Sequence, residues 1–233
     1  QTSIQYQLLI QLLKFWDALL NDNRKKIQFR HHEDTGLRLF RYAVNALKTI
    51  VGIVKPVMAP GADITRKTIC YVFKIMNSLF QAGFGVPFYS FDYFKDPILM
   101  ELLSLFNDCL GASPPTELVQ YPKLELILVQ LTRTICEKQL EVAARPELNL
   151  METLLHIINA TMRSLNKSVR DNSIKSFEAF TKFEGVFIPK PAESDIPDPL
   201  MVVISQEAML TTTFQLLDIF FVKGNEYNVI NCI

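Results

Sequence analysis

The most constraining feature of this sequence is the run at residues 121–140, YPKLELILVQLTRTICEKQL. Its apolar residues recur at the spacing of one face of an α-helix, and Pro122 fits a first helical turn, where a backbone N–H has no partner to lose. Residues 148–165 repeat this pattern. Two such helices form a hairpin that cannot bury both apolar faces by itself, so the rest of the chain must supply neighbouring helices. The apolar positions are Leu124, Ile127, Leu128, Leu131, Ile135 and Leu140, then Leu150, Leu154, Leu155, Ile157, Ile158, Met162 and Leu165.

The remaining chain supplies six more predicted helices, which are separated by stretches rich in proline, glycine or charge. Gly111 follows the fourth predicted helix and is expected to be its C-terminal stop. The apolar spacing of the first helix predicts an inner face made of Ile4, Leu8, Leu12, Phe15, Trp16 and Leu19. The six helices are predicted at residues 3–20, 35–54, 63–82, 97–110, 168–183 and 200–222.

The eight predicted helices pair into four hairpins, whose first members begin at about residues 3, 63, 121 and 168. This spacing of roughly 47 to 60 residues is longer than a HEAT or armadillo unit of about 40–47 residues, mainly because the loops are long. We therefore predict an all-α fold, a right-handed solenoid of about four HEAT-like antiparallel helical hairpins. Residues 1–233 are expected to form a single solenoid segment, a fragment of a longer chain.

The bulk composition excludes several classes of protein. The chain is 49% hydrophobic, which is enough for a sizeable core, and its 24 basic and 24 acidic residues balance. A neutral chain has no overall attraction for nucleic acid or an anionic membrane, and no direct partner of either kind is predicted. The sequence shows neither a signal peptide nor an apolar run of about 18 residues that could span a bilayer. Four dispersed cysteines are predicted to be small core residues in a reducing compartment: Cys70, Cys109, Cys136 and Cys232.

The sequence also lacks the motifs that carry catalysis. The glycines of Gly83-Phe84-Gly85 are not followed by the Lys-Ser/Thr of a phosphate-binding loop. No serine or cysteine stands in a recognisable motif with a base. The adjacent His31 and His32 have no third ligand at a defined spacing, and His156 is expected to be a core or boundary residue of an apolar helix. We therefore predict a protein that is not an enzyme and that holds no cofactor or metal.

The strongest local charge feature lies at residues 21–34, between the first two predicted helices. Its basic residues could bind an acidic protein partner, or less readily a membrane surface. The favoured alternative is a solvated loop whose charge is balanced by the three acids of the same segment. The candidate partner-binding residues are Arg24, Lys25, Lys26 and Arg30.

The aromatic stretch at residues 84–94 is a second candidate for partner binding. It could bind phenylalanine-glycine repeats or a hydrophobic element of a cargo protein. The favoured alternative is packing over the ends of neighbouring helices, because burying a phenylalanine contributes about 1.5–3 kcal/mol.

Three stretches carry a resemblance to a known family. They are NDNRKKIQF with GLRLFR at residues 21–29 and 36–41, FYSFDYFKDPILMELLSLF at residues 88–106, and LVQYPKLELILVQL at residues 118–131. In this order, they resemble the C-terminal half of exportins of the exportin-seven type, which are Ran-binding receptors of the importin-β (karyopherin) superfamily. The likeness spans most of residues 12–220. The exportin-four type is a close relative and fits as well.

The resemblance implies a nuclear transport receptor that binds protein cargo together with RanGTP, contacts nucleoporins and shuttles between nucleus and cytoplasm. The family's best-defined Ran-binding region lies near its N-terminus, and no stretch of this sequence matches it. The resemblance therefore places most of the Ran contact outside this sequence. The alternative, which rests on fold-level features alone, is a HEAT-repeat scaffold that assembles a complex without Ran.

Overall fold

The computed structural model describes residues 2–21, 35–54, 63–81, 86, 88, 90–91, 95–112, 114–148, 150–183 and 210–217. Within these ranges the regular elements are helical and there is no strand, so the prediction of an all-α chain is confirmed there. The helices are α1 Thr2–Asn21, α2 Thr35–Val54, α3 Asp63–Phe80, α4 Ile98–Ala112, α5 Pro115–Leu118, α6 Pro122–Lys138, α7 Leu140–Ala143, α8 Met151–Met162 and α9 Lys167–Thr181. A further helical segment covers residues 210–217, the described part of the last predicted helix.

The chain divides into two compact units, residues 1–114 and residues 115–233. In the first unit, α1 packs on α3, and α2 packs on α4; α3 also contacts α2 and α4. Its core is rich in aromatic rings. The Phe40 and Phe91 rings lie 4.8 Å apart and those of Phe73 and Phe106 lie 5.6 Å apart, between centroids, and all four side chains are fully buried.

The second unit is built on α6, α8 and α9, each of which contacts the other two. Its core is mainly aliphatic, with small hydroxyl side chains between the helices. Thr161 of α8 and Ser173 of α9 are both fully buried, and their hydroxyl oxygens lie 2.7 Å apart. Each hydroxyl also lies within hydrogen-bond distance of a carbonyl oxygen one turn earlier in its own helix. These contacts satisfy polar groups that would otherwise destabilise a buried interface.

The structure corrects several predicted helix ends. The helix predicted at residues 148–165 is the shorter α8, and Leu165, which was predicted on its apolar face, lies beyond its end and is exposed. The helix predicted at residues 121–140 ends at Lys138, because Gln139 leaves the helical region with φ −132° and ψ 16°, and the short α7 follows. Gly111 is not a stop, since α4 continues through it to Ala112. The helix instead ends just before Pro114 and Pro115, where proline disfavours a helical conformation in the preceding residue and cannot supply a backbone donor.

The predicted inner face of α1 is also wrong. Leu8, Leu12, Phe15 and Leu19 are exposed, Trp16 is half-buried, and the side chain of Ile4 lies outside the described part. Leu13, which was not predicted to face inward, is fully buried. The error has a physical cause: apolar residues cover more than half of the circumference of α1, so that two different faces both fit a helical spacing.

Candidate interaction surface

The predicted partner-binding residues Arg24, Lys25, Lys26 and Arg30 lie outside the described residues, as do His31 and His32. Their role as a binding site therefore stays a prediction. Two ion pairs that join different helices in the described part lie elsewhere, between α2 and α4 of the first unit.

The aromatic stretch contributes to the core of the first unit. Phe91 is fully buried against Phe40 of α2, and the half-buried Phe88 lies 6.5 Å from Phe91 between ring centroids. The predicted packing role is confirmed for Phe91; several other residues of the stretch lie outside the described part.

A backbone hydrogen bond connects Asp96, close to the start of α4, with Phe91. The Asp96 backbone N–H donates it to the carbonyl oxygen of Phe91 over 2.8 Å. Lys95, in the turn just before Asp96, has a left-handed φ of 51°.

Asp96 joins the start of α4 to α2. One carboxylate oxygen accepts a 3.2 Å hydrogen bond from the backbone N–H of Ile98, in the first turn of α4. The other accepts a 2.7 Å hydrogen bond from Nε of Arg41 on α2. The Asp96 side chain is only 7% exposed, whereas that of Arg41 is 52% exposed. Asp96 is therefore held on two sides, and much of the Arg41 side chain remains accessible.

A second ion pair continues the contact between the two helices. Lys48 Nζ lies 2.9 Å from Glu101 Oε2, and both side chains are partly exposed. The basic partner of each pair comes from α2, and the acidic partner lies on α4 or just before it. We call the surface formed by Arg41, Lys48, Asp96 and Glu101 the α2–α4 face.

The α2–α4 face was not identified from the sequence. The two paired residues of each ion pair are 53 or 55 positions apart, and only the packed helices bring them together. A partial signal was present, because Arg41 and Lys48 are seven residues apart and so share one face of a helix. The arrangement suits recognition of a protein surface of complementary charge, since charges of both signs at fixed positions steer and select a partner.

The described residues give no support to a metal or thiol site. No group of three or more histidine, cysteine or acidic side chains is gathered in the described ranges. Cys109 and Cys136 are buried, as predicted, and burial together with the neighbouring Glu137 raises the pKa of the Cys136 thiol. Such a thiol is a poor nucleophile. His156 is exposed on α8, so its predicted place in the core or at its boundary is wrong.

Among the helices in the described ranges, none combines the length and the apolar character needed to cross a membrane. Comparisons of the whole chain with protein-family models, with curated proteins and with solved structures found no match.

Proposed function

We propose that this chain is a segment of a nuclear transport receptor of the exportin type, which binds protein cargo together with RanGTP and carries it through the nuclear pore. The observation that carries this proposal is the ordered resemblance of the three stretches at residues 21–41, 88–106 and 118–131. Each stretch alone is an apolar helix with a turn, and their order gives the set its specificity. The receptor would act in both the nucleus and the cytoplasm.

The helix contacts within each unit support the solenoid part of the proposal. In a stack of helical hairpins, the first helices of successive hairpins form one layer and the second helices form another. The pairing of α1 with α3 and of α2 with α4 follows this pattern, as does the pairing of α6 with α9 in the second unit. We propose that the helices form HEAT-like antiparallel hairpins of one right-handed solenoid.

The α2–α4 face is the proposed place for a cargo contact in the first unit. Both of its helices are the second members of their hairpins, and in the proposed solenoid these members line the concave surface. Its charged side chains could orient a folded partner and favour one set of partners over another, because electrostatic complementarity contributes mainly to specificity and association rate.

The proposal is tested with the intact protein that contains this chain and with Ran loaded with either a non-hydrolysable GTP analogue or GDP. We expect the immobilised protein to retain Ran only in the GTP form and to retain more of it when cargo is present. Equal retention of the two forms, or no retention of either, would contradict the proposal.

The second candidate is a HEAT-type scaffold without a nucleotide-dependent partner. It rests on the helical fold of the described ranges alone, which many unrelated proteins share. The same Ran experiment separates the two candidates, because a scaffold would assemble its complex equally well with no Ran present.

A further inference from the structure

One basic side chain of the α2–α4 face uses only part of its hydrogen-bonding capacity. An arginine guanidinium carries five N–H donors. In Arg41, Nε and Nη2 both contact the same carboxylate oxygen of Asp96. Both N–H groups of Nη1 and one of Nη2 have no partner among the described residues, and the Arg41 side chain is more than half exposed. Three donors at the end of the guanidinium are therefore left for another molecule.

The contacts of Asp96 hold the Arg41 guanidinium in place. The Asp96 carboxylate is almost fully buried and accepts a hydrogen bond from the Ile98 backbone N–H, while the backbone N–H of Asp96 donates to Phe91. A side chain that is already held in one position loses less freedom when it binds a ligand. The two end nitrogens, Nη1 and Nη2, carry parallel N–H groups that match the two oxygens of a carboxylate. Arg41 is thus prepared to bind an anion.

The charges around Arg41 favour an acidic ligand. Four exposed basic side chains lie on or beside the α2–α4 face, against two acidic ones. The basic residues are Arg38, Arg41, Lys48 and Lys95, and the acidic residues are Asp96 and Glu101. The next acid along α4, Asp108, lies seven residues beyond Glu101, or about 10 Å further along the helix. Because Asp96 is buried and already bound, the surface that a partner meets has an excess of positive charge, which attracts an acidic segment and repels a basic one.

We infer that Arg41 binds a carboxylate in an acidic segment of the cargo protein, through the end of its guanidinium. The inference rests on the proposed function for the identification of this partner as cargo. In the proposed solenoid the hairpins stack side by side, and the layer formed by the second helices stays open to a partner. Since α2 and α4 both belong to that layer, neighbouring repeats would leave Arg41 accessible.

The test uses a short fluorescent peptide in which glutamates alternate with serine and glycine. The control peptide has glutamine in place of every glutamate. Binding to the 233-residue chain is followed by the anisotropy of the peptide. We expect saturable binding of the glutamate peptide only, with an affinity that falls as salt is added, because dissolved ions screen exposed charges. Equal binding of the two peptides would overturn the inference.

Substitution of Arg41 decides whether this residue is the binding group. Arg41→Gln should weaken binding of the glutamate peptide about tenfold or more, since it removes a charge-assisted pair of hydrogen bonds. Arg41→Lys should weaken it nearly as much, because an ammonium keeps the charge but cannot offer two parallel N–H groups. Arg163→Gln is the matched control: it removes an exposed arginine of the second unit and should leave binding unchanged. Unchanged binding in either Arg41 variant would overturn the inference.

A second measurement needs no variant and so does not depend on the folding of one. Phenylglyoxal modifies accessible arginines, and mass spectrometry reports the rate at each residue. A saturating amount of the glutamate peptide should slow the modification of Arg41 severalfold and leave the rate at Arg163 unchanged. An Arg41 rate that is the same with and without the peptide would overturn the inference.

Two further variants of the experiment identify another site or another ligand. The basic segment at residues 21–34 also attracts acidic peptides. If the triple variant Arg24→Gln, Lys25→Gln, Lys26→Gln abolished binding, the peptide would occupy that segment and the inference would be wrong. A peptide with phosphoserine in place of glutamate tests the other anion; if it alone bound through Arg41, the ligand would be a phosphate and the inference would be wrong as well.

The intact protein separates this inference from the proposed function. Arg41→Gln should reduce the retention of cargo about tenfold and leave the retention of Ran in its GTP form. If the variant retained cargo as well as wild type while Ran still bound in its GTP form, the inference alone would fail. If wild type retained no Ran but the glutamate peptide bound through Arg41, the transport function would fail and the carboxylate site would remain.

Discussion

Replacing Gly111 by alanine tests whether α4 continues through this residue. In the structure Gly111 lies in the last turn of α4, its φ is outside the left-handed region, and an added Cβ would meet nothing within 4 Å. Alanine should then stabilise the helix, because it loses less backbone freedom on folding than glycine. A helix interior would gain about 0.8–1 kcal/mol, and the last turn is expected to gain about half of that. With a urea slope of about 1–3 kcal/mol per molar, the midpoint should rise by roughly 0.1–0.5 M.

The chain offers a specific assay for this prediction. Trp16 is the only tryptophan, and it lies in the same unit as Gly111, so its fluorescence during urea denaturation follows the unfolding of that unit. Gly52→Ala is the matched control: Gly52 lies in the last turn of α2 and also has space for a Cβ. Gly111→Asn should be less stable than Gly111→Ala, because asparagine is the weaker helix former. An asparagine variant more stable than the alanine variant would refute the reasoning, since a left-handed stop tolerates asparagine and strains alanine.

Three other substitutions or reactions test the packing. Asp96→Ala should lower the stability of the first unit by about 1–2 kcal/mol, because it removes a hydrogen bond from a backbone N–H at the start of α4 and leaves the Arg41 guanidinium without its carboxylate. Glu101→Ala should cost less than about 1 kcal/mol, since the ion pair of Glu101 is exposed. Equal losses of stability in the two variants would contradict this prediction. Leu128→Asp should destabilise the second unit by several kcal/mol, because it places a charge at a fully buried position. If circular dichroism gave a thermal midpoint within a degree or two of wild type, the assignment of the buried face of α6 would be wrong. Cys136 should react with a thiol reagent at pH 8 only after unfolding, because burial raises the pKa of its thiol. The half-buried Cys70 should instead react in the native state. Equal reaction rates of the two thiols in the native protein would contradict the burial of Cys136.

The positions of the helices were predictable because each has a repeated apolar spacing and a recognisable boundary. For α2, the buried residues recur every three or four positions from Phe40 to Val54, and the predicted and observed ranges agree. The prediction at Gly111 failed since a glycine near a helix end resembles a stop residue, whereas the two prolines that follow actually end α4. The local sequence alone did not show which of the two signals, the glycine or the pair of prolines, ends the helix.

The buried faces and the charged contacts were harder to predict, because they depend on which helices become neighbours. On α1 the sequence offered two apolar faces, and only the packing on α3 selects the one that contains Leu13. The contact of Arg41 with Asp96 joins residues 55 positions apart and depends on the turn that contains Lys95. The left-handed φ of Lys95 has no signature in the sequence, since glycine is the usual residue at a position with such a φ.

The two ion pairs of the α2–α4 face allow partner recognition to be separated from stability. Lys48 and Glu101 are both partly exposed, so their pair contributes at most about 1 kcal/mol, and solvent screens it. The double variant Lys48→Glu with Glu101→Lys keeps an ion pair between the two helices but reverses which helix carries which charge. If the face binds cargo through its charge pattern, this exchange should weaken cargo binding about tenfold while the urea midpoint followed through Trp16 stays within error. The single variants serve as controls, because each brings two like charges together. An exchanged protein that binds cargo as tightly as wild type would show that cargo contacts another part of the receptor.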